Sequence, residues 1–76
     1  MSRAMNAVPG QMLRMKAVVE LTGLSRSTIY RLIDSGEFPN GVKLTAHTTA
    51  WPATEVTDWV RSRIAARDDG GRRHIP

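Results

Sequence analysis

A chain of 76 residues with 41% hydrophobic and 24% charged side chains has the composition of one small folded domain, too short to wall a deep catalytic cleft. Eleven Lys and Arg against seven Asp and Glu leave a net charge of +4, which favours an anionic partner such as nucleic acid. There is no cysteine for a disulfide or a thiolate metal site, no run near the roughly 18 apolar residues of a membrane span, and no secretion signal, so a cytoplasmic protein that does not enter a membrane is expected.

Residues 1–12 carry no hydrophobic period and are expected to form a flexible tail; the folded unit is expected over 13–67. The end of the chain, 68–76, mixes charge with two glycines and a closing proline and reads as a second flexible tail. Between the tails stand eight basic residues (Arg14, Lys16, Arg26, Arg31, Lys43, Arg61, Arg63, Arg67) and five acidic ones, so the folded part is itself basic. Nine of the eleven basic residues are arginine, which suits phosphate and guanine because the planar fork donates two parallel hydrogen bonds; codon bias in a GC-rich genome gives the same count.

The first element, "MKAVVELTG", reads as a short helix with Val18, Leu21 and Ala17 on one face, stopped at Gly23 by a left-handed residue. Leu24 then folds back toward the core. Ser25 is a good N-cap for a second helix, in which Ile29, Leu32 and Ile33 recur at i, i+3 and i+4 as the buried stripe, with Gly36 ending it. Ser27, Tyr30, Arg31 and Asp34 must point outward. Two helices joined by a short turn containing glycine make the helix-turn-helix pattern, whose second helix fits a DNA major groove.

After "GEFPNG" the chain offers "VKL", then "TAHTT", then "AW": two short strands flanking a loop, a β-hairpin or wing, with Phe38 and Trp51 covering the core. The last element, "PATEVTDWVRSRIAAR", reads as a helix that tolerates Pro52 near its start and carries Val56, Trp59, Val60 and Ile64 on its buried face. The expected fold class is therefore mainly α with a small β-hairpin, a winged helix-turn-helix.

The run "LRMKAVVELTGLSRSTIYRLIDSGEFPNGVKL", followed by "AW", "EV" and "WV", resembles the AlpA family of phage and prophage regulators, within the MerR-like winged helix-turn-helix group that also contains many excisionases. The resemblance implies a second helix docked in the major groove and a wing along the backbone or minor groove. It makes Ser25, Arg26, Ser27, Thr28, Tyr30 and Arg31 the DNA-facing set. The wing departs from the family: where glycine and arginine often stand between the strands, this chain has "LTAHTTA", leaving Lys43 and His47, with Thr45 and Thr48, as the wing's candidates.

Several of these residues have a second reading. Ser27 and Thr28 can serve the helix start, reach phosphate, or do both. Tyr30 either packs at the core rim or faces DNA. Trp51 and Trp59 lie on faces expected to be buried, and Met12 and Met15 read as gap fillers. His47 and His74 are isolated, so no metal is expected. No nucleophile has a paired base and no glycine-rich phosphate loop joins a strand to a helix, so neither catalysis nor a cofactor is expected.

The function expected is sequence-specific binding of double-stranded DNA. One short site per copy calls for several copies side by side, hence cooperative self-association on DNA. That favours an excisionase, or recombination directionality factor, that coats and bends a phage attachment site for a partner integrase. An AlpA-like transcriptional regulator at a promoter would use the same surface, and a module docking an integrase or RNA polymerase is the competing class.

Overall fold

Six elements follow one another along residues 10–73, the part of the chain that the computed structural model describes: β1 (Met12–Leu13), α1 (Met15–Thr22), α2 (Arg26–Asp34), β2 (Val42–Thr45), β3 (Thr48–Pro52) and α3 (Ala53–Arg73). His74 and residues 1–9 of the expected N-terminal tail lie outside the described residues.

The α1 helix buries Met15 and Val18, with Ala17, Val19 and Leu21 packed against the same core. It stops at Gly23, whose N–H donates to the Val19 carbonyl at 2.8 Å. The Thr22 hydroxyl donates to the Val18 carbonyl (2.8 Å) and accepts from the Leu24 N–H (3.2 Å), so one side chain pins both sides of the turn. Ser25 then caps α2 as its sequence position suggests, its hydroxyl accepting from the Thr28 N–H at 3.2 Å.

Ile29 is completely buried, and Leu32 and Ile33 pack half-buried beside it. Burying a side chain such as Ile29 stabilises the fold by about 1.5–3 kcal/mol. The helix ends in a Schellman motif: the Glu37 N–H donates to the Leu32 carbonyl (2.7 Å) and the Gly36 N–H to that of Ile33 (3.0 Å). Gly36 sits at φ +78°, in the left-handed region that a side chain would strain. The turn delivers Phe38 into the core, edge-on to Trp59 with ring centroids 4.9 Å apart.

The strands form one antiparallel sheet in the order β1-β3-β2. The hairpin is tighter than its sequence suggests. Thr45, Thr48 and Thr49, expected in the loop, belong to strands, Thr45 to β2 and the other two to β3, and only Ala46 and His47 turn the chain, with a register irregularity between Lys43 and Thr45. A third strand was not foreseen: β1 pairs Leu13 with Trp51 and Met12 with Pro52, so the expected domain start at Leu13 falls inside a strand. Trp51 is buried, and its indole N–H donates to the Pro39 carbonyl at 2.9 Å. Gly41 lies flat against it; a Cβ there would collide with the Thr49 methyl and come within 3.0 Å of the Trp51 ring.

The α3 helix starts at Ala53, one residue past Pro52, which is used in the sheet; the Ala53 N–H donates to the Gln11 carbonyl (2.8 Å). Ala53 and Val56 are fully buried and Trp59 and Val60 half-buried, but Ile64 is 45% exposed, against the expectation of a buried face that included it. The helix continues to Arg73, six residues beyond its expected end at Arg67. Three helices and a hairpin, mainly α, make the winged helix-turn-helix.

Candidate nucleic-acid interface

Because Ile29, Leu32 and Ile33 turn inward, the helical period sends Arg26, Ser27, Tyr30, Arg31 and Asp34 to the other side of α2, and all five are exposed. Tyr30 is 52% exposed and so stands outside the core. The one acid on this face, Asp34, is confined to the last residue of the helix, away from the end that carries Arg26 and Ser27. Ser25 and Thr28 are occupied locally: besides the cap, the Ser25 hydroxyl donates to Thr28 Oγ1 at 2.9 Å, and Thr28 is half-buried. Their hydroxyls hold the first turn in shape for the outer face.

Arg26 and Tyr30, one turn apart, form one wall of an open groove of about 420 Å³. His47 and Thr49 bring the wing to it, Arg14 and Lys16 bring the start of α1, and Trp51 and Met15 contribute from the core. No carboxylate lines this groove. Three permanent positive charges and a histidine thus face one channel, where their fields add and attract an anionic chain. The start of α1 adds to this: Arg14 stands at the N-cap position and makes no side-chain hydrogen bond to the first turn, and the positive end of a helix favours a nearby anion.

The sequence reading did not include Arg14 and Lys16 among the site residues. The available signal was the absence of Ser, Thr, Asp or Asn before α1, which leaves its first-turn amides for another acceptor. Lys43 is placed differently from the others: it is exposed on β2, and its ammonium donates to the Ala46 carbonyl at 3.3 Å, bracing the turn of the wing. The His47 N–H donates to Thr45 Oγ1 (3.2 Å), closing the same turn and presenting the imidazole to the groove. Arg31 and Ser27 lie on the next row of α2, outside the groove lining. Among the described residues no cluster of His, Asp or Glu could hold a metal ion, and no helix is long and apolar enough to cross a membrane.

A three-residue turn between α1 and α2, an outer face of arginine and hydroxyl groups, and a hairpin sharing its groove are the parts of a winged helix-turn-helix protein. The chain belongs to the AlpA family: the family model described as prophage CP4-57 regulatory protein (AlpA) matches residues 11–64, from the residue before β1 to the exposed Ile64 of α3. It is also 53% identical over 58 residues to a protein of Enterobacteria phage P4 described as uncharacterized protein ORF88. That match covers 76% of this chain and 66% of the phage protein, a little under two thirds of its length.

Proposed function

We propose that this protein binds double-stranded DNA sequence-specifically, with α2 in the major groove and the wing turn beside the backbone. The observation that carries the reading is the acid-free groove in which Arg14, Lys16, Arg26 and His47 converge from three elements next to the open face of α2. Arg31 and Ser27, outside that groove, are the side chains for base edges; Arg14, Lys16 and Arg26 neutralise phosphates. Tyr30 sits between the two sets. Its ring offers an apolar face to deoxyribose or a thymine methyl, and its hydroxyl offers a hydrogen bond. The polar groups of Ser25 and Thr28 shape the start of α2, and Lys43, exposed on β2, adds positive charge where the wing meets the backbone. The chemistry is recognition and needs no cofactor.

Within this reading the protein regulates by where it sits on DNA. The family description, a prophage regulatory protein, supports an AlpA-like regulator that occupies a promoter. A second reading, an excisionase acting with an integrase, is favoured by the single nine-residue recognition helix among the described residues. One such helix reads one short site, so several copies side by side would be needed to mark and bend an attachment region. Footprinting and gel shifts on the DNA flanking the gene separate these. Protection of repeated sites beside an attachment core, with a ladder of shifted species, indicates the excisionase; protection of a promoter alone indicates the regulator. Three neutralised phosphates give a slope of log K against log salt of about −3, roughly −0.9 for each. Affinity that is indifferent to salt and sequence would defeat both readings.

A further inference from the structure

The apolar stripe of α3 outruns the core it packs against. Val56 is wholly buried and Val60 half-buried, yet Ile64, two turns beyond Val56 on the same stripe, stays open to solvent. Facing it, Thr22 and Leu24 at the turn between α1 and α2 complete a second groove of about 330 Å³. Its floor is Trp59, Val60 and Ile64, and its edge is Arg63 and Arg67. None of its lining residues belongs to the groove shared by α2 and the wing.

Charge decides what could fill it. No carboxylate lines this groove. Arg63 lies over the Trp59 ring, 6.0 Å from its centroid, and has no carboxylate partner among the described residues. Arg67 pairs with Asp68 at 2.7 Å, but both are well exposed, where an ion pair is readily exchanged for another. Among the described residues the other large apolar side chains that are exposed are Tyr30, Val42 and Leu44. Tyr30 is accompanied by Arg26 and Arg31 with Asp34 as the one acid beside it, and Val42 and Leu44 flank Lys43, so a second copy offering them would set mainly cations against cations. A large apolar side chain flanked by carboxylates satisfies both the floor and the edge.

We propose that the groove between the α1–α2 turn and α3 docks an acidic, apolar segment of a partner protein. Docking there leaves the α2 groove free, so partner and DNA are held at the same time; this last clause alone rests on the DNA reading.

Each groove includes one tryptophan, Trp51 in the first and Trp59 in the second, so their indole N–H signals report on the two separately in one nitrogen–proton correlation spectrum of the full chain. The probe is a short synthetic peptide of Leu and Phe interleaved with Asp and Glu, and the control replaces the acids with Lys. The acidic peptide should shift Trp59, Leu24 and Ile64 and leave Trp51 still. The lysine peptide should bind roughly ten-fold more weakly or worse, and Ile64→Asp and Arg63→Glu, both at exposed positions, should each weaken the acidic peptide to a similar degree. Saturating duplex DNA should leave peptide affinity unchanged.

Equal binding of the lysine peptide, or undiminished binding to Ile64→Asp, overturns the proposal. A Trp59 signal that moves with protein concentration alone also overturns it, in favour of a second copy. Competition between peptide and DNA overturns simultaneous docking. A Trp51 signal unmoved by DNA counts against the DNA reading instead, so the two failures are distinguishable.

Discussion

The helix-turn-helix and the wing lie side by side on one groove, but they are held by interactions of different range. From Val18 to Glu37 the turn and the helix ends are closed by short loops of chain, Thr22 to Val18, Leu24 to Thr22, Thr28 to Ser25 and Glu37 to Leu32, with one long-range tie where the Trp59 indole N–H donates to the Glu37 carbonyl at 2.6 Å. The wing depends on distant residues. Trp51 reaches Pro39, Gly41 gives way to Thr49 and Trp51, and β3 is paired on its far side by β1, with Leu13 opposite Trp51. Hydrogen bonds between near neighbours in the chain thus shape the ends of α2, whereas the position of the wing depends on residues far from it in the sequence.

The largest test of that contrast is Trp51→Ala. Removing this buried ring takes away the wing's anchor and the neighbour of Leu13, and a loss of about 3–5 kcal/mol is comparable with the whole stability of so small a domain. Thermal melting by circular dichroism should find the variant largely unfolded; an unchanged midpoint would show that the sheet is not part of the core. Trp59→Ala, at a half-exposed ring, should cost less.

Gly41→Ala comes next. Its Cβ must displace Thr49 and the Trp51 ring, an overpacking that costs about 1–3 kcal/mol. The displacement should also show in DNA affinity, because Thr49 and Trp51 line the groove. A variant with full stability and full affinity would mean that the wing adjusts freely. Smaller again, Ser25→Ala removes the cap of α2 and should lower stability by about 1 kcal/mol, measurable as a shifted denaturation midpoint at unchanged slope. Lys43→Ala should leave stability unaltered, since an exposed ammonium on a carbonyl contributes little; a small drop in affinity for all duplexes alike is its expected signature in a gel shift.

The same contrast of range explains what could be read from the chain. The α1–turn–α2 unit was legible because each of its signals is short: an apolar period, Gly23, Ser25 as cap and Gly36 as stop. β1 was hidden because two residues are too few to show alternation, and its partner Trp51 lies 38 positions away in the pairing of Leu13 with Trp51. Thr48 and Thr49 read as loop because threonine serves turns and strands alike, and pairing with Thr45 and Lys43 decides for the strand. Ile64 fits the apolar period of α3, but a period does not say where the core it faces will end. Arg14 and Lys16 carry no motif of their own. Only the packing of α1 against the sheet brings them beside Arg26 and His47.

The central claim, that the groove between α2 and the wing receives duplex DNA, is tested most directly by titrating the labelled protein with a duplex from the protected region and following the backbone and indole N–H signals. The account predicts salt-sensitive shifts at Arg14 to Lys16, Arg26 to Arg31, His47 and the Trp51 indole, with the Trp59 indole unmoved. Shifts centred on Trp59 and Ile64, or none in the α2 groove at low salt, would contradict it.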